Sequence, residues 1–249
     1  MIPYFSYTQI HLGSVTLYTW GLFIALAFLV GYGYFFRQAQ KEGIRENKIL
    51  GLALALFFGA IAGSRLGYAA QFPARFFSNP AEIFELSAGG LTFYGGLGGA
   101  LILGWLYLWK NKLNFLKIAD LLAPAAALGI FIGRIGCFLI NDHQGASAAL
   151  PWAILWPDGI SRHPVALYLS LNGLILFFLL RFLKPKLKKP GQLALVFLIY
   201  YAVSRFLLDF TRVVGAPLSD PHYWALTVSQ WVSVIIFAAI AVFHLRKGK

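Results

Sequence analysis

Apolar residues run in seven long blocks, about 15–36, 48–71, 91–110, 118–140, 164–183, 191–210 and 223–245, and the intervening stretches collect most of the charge. A block of about 20 mostly apolar residues is long enough to cross a bilayer as a helix. The pattern predicts an all-α, polytopic integral membrane protein of about seven transmembrane helices, forming one domain over 1–249. Asp120, Pro124, Gly133, Arg134 and Gly136 interrupt the fourth block, which leaves it open to a broken or re-entrant form. The Lys-Pro-Lys-Leu-Lys-Lys-Pro-Gly stretch at 184–191 reads as a tight turn, not as a domain linker. The two long connections near 72–90 and 141–163 are where structure outside the membrane is expected.

Composition agrees with this pattern: 59% of the residues are hydrophobic and only 12% are charged. Basic residues then orient the chain. Fifteen lie in one set of connections, among them Arg37, Lys41, Lys110, Lys117, Lys184 and Lys189, against Arg75, Arg162 and Arg212 in the other. By the positive-inside rule the N-terminus is outside and the C-terminus cytoplasmic, with both long loops facing outward. Topology and anionic membrane lipids account for the net charge of +12. Nucleic-acid binding is not needed, since no aromatic platform interleaves with the basic runs. The N-terminus has no cleavable-signal pattern, so the first span is expected to act as its own insertion signal.

Against that background three arginines stand out, Arg65, Arg134 and Arg205, each inside an apolar block. Such a charge costs about 2.5–3.5 kcal/mol on insertion scales, and its usual justification is function. Counted from the outer ends of their spans, all three lie at one level, roughly 7–10 Å deep. Tyr94 and Trp20 share that level. Tyr201, Arg205, Asp209 and Arg212 follow at four, four and three residues, which is one helical stripe. It reads either as an Arg205–Asp209 pair that neutralises charge between helices, or as an arginine held by Asp209 and presented to a phosphate.

The glycines Gly129, Gly133 and Gly136, and Gly95, Gly96, Gly98 and Gly99, suit close helix packing, with Gly95 and Gly96 beside Tyr94 also candidates for backbone approach to a headgroup. Asn141, Asp142 and His143 sit at the mouth of the fourth span, read as solvated or as shaping the site. The single cysteine, Cys137, excludes an internal disulfide. It reads as a small buried apolar residue, or as a thiol activated by Arg134 three residues before it. The histidines show no metal-ligand spacing, so neither a metal nor a cofactor is expected.

The stretch Gly133-Arg134-Ile135-Gly136-Cys137-Phe138-Leu139-Ile140-Asn141-Asp142-His143-Gln144-Gly145 resembles the signature of the prolipoprotein diacylglyceryl transferases. Ala62-Gly63-Ser64-Arg65-Leu66-Gly67-Tyr68, Gly89-Gly90 to Gly95-Gly96, Arg162-His163-Pro164 with Tyr168, Tyr201 to Arg205 with Asp209 and Arg212, and Gln230 are similar to further family segments in the same order. Tyr94 stands where well-known members carry a histidine, Trp20 where tyrosine is typical, Cys137 where asparagine is common, Leu169 where a glutamate often lies, and Asp142 for a glutamate.

The resemblance implies a bacterial inner-membrane enzyme that moves the diacylglyceryl group of phosphatidylglycerol onto the lipobox cysteine of a prolipoprotein signal peptide, releasing glycerol 1-phosphate. It implies catalytic roles for Tyr94, Arg134 and Arg205. Substrate contacts are expected from Arg134, Arg205, Arg65, Asn141, Asp142, Tyr201, Asp209, Trp20, Gly95, Gly96 and Gly145. A transporter or flippase of an anionic lipid or metabolite, using the same arginines, is the alternative. It would leave an internal repeat or paired broken helices, and neither is evident.

Overall fold

A computed structural model of the chain describes residues 1–13, 15–74, 79, 82, 90, 92–215 and 222–247. Most of it is helical. The long helices are α1 (Thr19–Lys41), α2 (Glu46–Gln71), α3 (Phe93–Lys110), α4 (Phe115–Leu139), α5 (Val165–Leu183), α6 (Gln192–Leu208) and α7 (Val228–Lys247). Five helical stretches, Thr19–Lys41, Glu46–Gln71, Phe115–Leu139, Val165–Leu183 and Gln192–Thr211, are long and apolar enough to cross a membrane. α3 carries five glycines, and in α7 the apolar part is the shorter Val228–Val242. The expected outward loop at 72–90 lies mostly outside the described residues.

The chain divides into two compact units, Phe36–Ile118 and Met1–Phe35 with Ala119–Lys249. In the first, α2 and α3 meet through glycine. A Cβ added to Gly59, Gly63, Gly95 or Gly99 would overlap backbone of the facing helix, the close approach that small residues at four-residue spacing permit. Gly95 and Gly96 thus pack against α2, Gly96 against Ser64. Thr92 at the start of α3 ties its Oγ1 to the Ser64 carbonyl at 3.2 Å.

In the second unit α4 is one continuous helix through the buried Pro124, so the broken form is not adopted. Asp120, one turn earlier, accepts at its carboxylate from the Gly191 and Ala194 amides at 2.6 and 2.8 Å. It thereby caps α6, where the first amides of a helix have no partners of their own. Small residues of α4 receive α1: Gly136 abuts Phe23, Gly133 faces Ile24 and Ala27, and Gly31 touches the Ala125 carbonyl. Leu176 and Leu180 of α5, Ala123 and Ala127 of α4 and Leu193 of α6 form an apolar core, against which Tyr201 packs.

Short strands, absent from the all-helical expectation, lie beside the helix ends of this unit. Val15–Tyr18 (β3), expected inside the first span, pairs antiparallel with Gln9–Leu12 (β2) around Gly13, whose φ is +63°. Its β-branched and aromatic residues suit a strand, and α1 starts only at Thr19. Within the 141–163 connection Ile154–Leu155 (β4) and Ser161–Arg162 (β5) pair antiparallel, and Ile2–Pro3 (β1) joins β4 in parallel. Arg162 grips Asp158 through both Nη atoms, at 2.8 and 2.6 Å, with its guanidinium over the Trp156 ring. That pairing holds the exposed Asp158 carboxyl down to a pKa of about 2. His222–Tyr223 (β6) and Leu226–Thr227 (β7) form a hairpin leading into α7.

Candidate active site

How α4 ends sets the geometry of the site. Asn141 adopts a left-handed φ of +52°, its N–H returns to the Phe138 carbonyl and the Asp142 N–H to the Cys137 carbonyl, both at 3.0 Å. This is a Schellman stop, with asparagine in the position that glycine usually fills. The N-terminal segment seals the remaining carbonyls, Tyr7 N–H donating to Leu139 and Ser6 Oγ to Ile140. The chain then runs back beside the end of α6: Ala146 N–H donates to the Thr211 carbonyl at 2.8 Å, Val213 N–H to Gln144 at 3.2 Å, and Gly145 bridges Arg212 antiparallel. A side chain on Gly145 would overlap the His163 backbone.

This tether brings the arginines of two helices together. Asp209 follows the last residue of α6 and starts a single 3-10 turn, Asp209–Thr211, that carries Arg212 beyond the helical stripe. Its carboxylate, fully shielded from solvent, meets Arg205 Nη1 at 2.9 Å and Arg212 Nε at 3.5 Å. Thr227 donates its hydroxyl to the other carboxylate oxygen at 2.6 Å, and Arg205 Nη2 donates to Ser229 Oγ at 3.0 Å. Thr227 in turn caps α7: its Oγ1 accepts from the Gln230 N–H, while Gln230 Oε1 accepts from the Thr227 N–H, a reciprocal capping box. Gln230 also donates to the Phe206 carbonyl, which joins α7 to α6.

Arg134, half-buried one turn before the end of α4, forms no hydrogen bond or ion pair with any described residue, yet its charge acts on both Asp142 and Arg212. Burial, and then the like charges of Arg205 and Arg134, push Arg212 down to about 10, although Asp209 and Asp142 work against the fall. Burial also raises the Asp142 carboxyl, but hydrogen bonds and charge from His143, with Arg134 behind, outweigh it and leave Asp142 below the ordinary carboxylate range. His143 Nδ1 lies 2.7 Å from Asp142 Oδ2, and the His143 N–H donates to Asp142 Oδ1 at 3.0 Å. Three guanidinium charges thus face two carboxylates, leaving one positive charge over. That surplus suits a singly charged phosphodiester.

The chain matches the prolipoprotein diacylglyceryl transferase model over residues 8–246. It is also similar to proteins named phosphatidylglycerol–prolipoprotein diacylglyceryl transferase. The one from Bordetella bronchiseptica is 32% identical over 98% of this chain and 95% of its own length. That of Chromohalobacter salexigens is 33% identical over 94% and 89%, and that of Finegoldia magna 35% identical over 92% and 91%. The chain belongs to the prolipoprotein diacylglyceryl transferase family.

The sequence-derived candidates separate within this diacylglyceryl transferase fold. Arg134, Arg205, Asp209, Asn141 and Asp142 gather at the ends of α4 and α6, Asn141 with a buried Nδ2 that has no hydrogen-bond partner among the described residues. Tyr201, one turn below Arg205, stacks on Phe197 in the apolar core, away from the polar cluster's hydrogen bonds. Trp20, the second residue of α1, is half exposed.

Arg65 belongs to the other unit, where it is buried and donates to the carbonyls of Gly90, at 3.2 Å, and Glu82. These contacts brace it against the loop carbonyls. Tyr94, the second residue of α3, is partly exposed. Thr227 and Ser229 were missed, and Arg212 was seen only as part of the stripe. A Thr-Val-Ser-Gln capping pattern at 227–230 was the available signal for Thr227.

Proposed function

We propose that the chain transfers the diacylglyceryl group of phosphatidylglycerol to the lipobox cysteine thiol of prolipoproteins, forming a thioether and releasing glycerol 1-phosphate. Arg205 and Arg212 around Asp209, with Arg134 close enough for its charge to act on Arg212, carry this reading, because together they are a preorganised cationic site with charge to spare. As the sulfur attacks the glyceryl carbon, the C–O bond breaks and its electron pair collects on the departing phosphate. Fixed cations stabilise that charge without having to reorganise.

Arg134 and Arg205 clamp the phosphate. Asp209, held by Thr227, keeps Arg205 aimed, while Arg212 adds charge. Asn141 and Asp142 shape the mouth, and the resemblance of its Gly-Gly segment to the family gives Tyr94 a catalytic role. Trp20 and Tyr201 are assigned substrate contacts by the family resemblance alone.

The enzyme is a multi-pass protein of the bacterial cytoplasmic membrane with seven spans, the N-terminus outside and the C-terminus in the cytoplasm, as the fifteen-to-three basic asymmetry supports. A transport path is disfavoured along α4, where Asp120, the acidic residue at its far end, is occupied by the α6 amides. Purified protein in detergent, given labelled phosphatidylglycerol and a lipobox peptide, is expected to yield the thioether. Absence of product beside an active authentic transferase overturns the assignment.

A further inference from the structure

The Schellman stop of α4 does more than end a helix. It folds Asp142 back onto Cys137, a contact usually made by two apolar side chains. His143 follows at φ +68°, a left-handed backbone that glycine adopts freely and other residues resist. Strained backbone of this kind clusters at functional sites, where the surrounding structure holds it. Here it closes the ring onto its own neighbour: Asp142 Oδ1 accepts the His143 N–H at 3.0 Å, and Asp142 Oδ2 lies 2.7 Å from His143 Nδ1. The buried Cys137 sulfur lies within 4.8 Å of both groups.

A carboxylate at Nδ1 keeps the ring proton there and leaves the free electron pair on Nε2. Nδ1 is shut off from solvent while 27% of the side chain stays exposed, so the open edge of the ring is the one that carries Nε2. The pair also stands among the cations assigned to the phosphate: the charge of Arg134 acts on Asp142, and that of Asp142 on Arg212. Other titratable groups nearby are engaged elsewhere. Tyr7 meets α4 through its backbone and stacks its ring on Phe5, His163 is held by the Tyr168 hydroxyl, and Arg162 by Asp158.

We propose that His143 takes the proton of the lipobox thiol at Nε2, with Asp142 positioning the ring, an inference that rests on the transferase reading for its substrate. A thiol with a reference pKa of about 8.5 is mostly protonated at neutral pH and needs a base. Tyr94 does not supply one, since a phenol with a reference pKa of about 10 keeps its own proton there. A neutral imidazole is the side chain best matched to that task. In the step the S–H proton passes to Nε2, the sulfur pair attacks the glyceryl carbon, the C–S bond forms as the C–O bond breaks, and that pair leaves on the phosphate oxygen. Charge keeps pace with the chemistry. Before transfer one surplus positive charge faces a phosphodiester monoanion; once His143 holds the proton, two face a phosphate monoester dianion. The proton then departs with the monoester, a group that ionises near pH 6, and the neutral ring is restored.

His143→Gly tests this directly, because glycine accepts the left-handed backbone and leaves room for a free imidazole. Its thermal melt is expected to match or exceed that of wild type. Given labelled phosphatidylglycerol and a lipobox peptide near neutral pH, it should transfer at least about tenfold more slowly than wild type. The deficit should shrink as pH rises toward about 8.5, where the substrate supplies its own thiolate, and added imidazole should restore part of the rate. Asp142→Asn, which no longer fixes the tautomer, should show the same pH-dependent deficit. Full transfer by His143→Gly at neutral pH overturns the base and leaves the transferase reading standing. So does a loss that is the same at every pH and that imidazole does not relieve, since a merely structural role gives that result. A wild-type rate in Asp142→Asn overturns its part in positioning the ring. No product from wild type beside an active authentic transferase overturns the transferase reading, and the role of His143 with it.

Discussion

At the scale of single residues, the site depends on one carboxylate shared by two guanidiniums. Removing a partner from a buried ion pair leaves an uncompensated charge and typically costs about 3–5 kcal/mol. Asp209→Ala is therefore expected to lower the melting temperature sharply and to abolish transfer. Arg134 has no such engagement among the described residues, so Arg134→Ala should fold normally while losing turnover by about 10²–10³-fold, the size expected for one transition-state donor. Wild-type rates in Arg134→Ala, measured on the lipobox peptide, would remove its assignment.

Arg205→Lys should not rescue activity, because a point charge cannot hold Asp209, Ser229 and a phosphate at once. The charged positions were legible because burying an arginine needs a reason. What distinguished Arg65 from Arg134 was not legible, since loop carbonyls are invisible to residue type.

Asp158 gives a residue-level prediction of a different kind. Its carboxyl has a folded pKa of about 2 against an ordinary 3.8, so its pairing with Arg162 stabilises the fold above pH 3.8 and ceases to do so as pH falls through about 2. Wild type and Asp158→Asn should therefore differ in thermal midpoint near neutral pH and converge in acid. A difference that persists unchanged to the lowest pH would show that the carboxylate charge is not its source.

At the scale of elements, the hydrophobic blocks located the seven long helices among the described residues, but their ends depended on local chemistry. Val15–Tyr18 is apolar enough to extend α1 and became a strand because Gln9–Leu12 could pair with it. Pro124 left α4 intact because a membrane helix tolerates a lost hydrogen bond when its neighbours satisfy the freed groups. Thr227 joins two elements, capping α7 and holding Asp209. Thr227→Ala should cost about 1–2 kcal/mol for the cap alone and should also reduce turnover by loosening Arg205, whereas Thr227→Ser should preserve both. In the other unit Gly63→Leu cannot be accommodated against the α3 backbone. Overpacking typically costs about 1–3 kcal/mol, so reduced yield of folded protein is expected, and normal expression and melting would refute the contact.

For the whole molecule, the basic asymmetry predicts a fused reporter active only in the cytoplasm when placed after α7, and one active only outside when placed in the 141–163 connection; the reverse pattern would invert the topology. The sequence by itself determined the class of protein, the positions of its long helices and the polar residues worth explaining, because bilayer thickness and the cost of buried charge act on residue type and order alone. Only the tertiary structure decided which of those residues come together. It folded Asp142 and His143 back onto Cys137, laid Gly145 against Arg212, and enclosed Asp209 between Arg205 and Thr227. The physical reason is that such contacts depend on backbone turns and on hydrogen bonds between segments distant in the chain, which residue order does not specify.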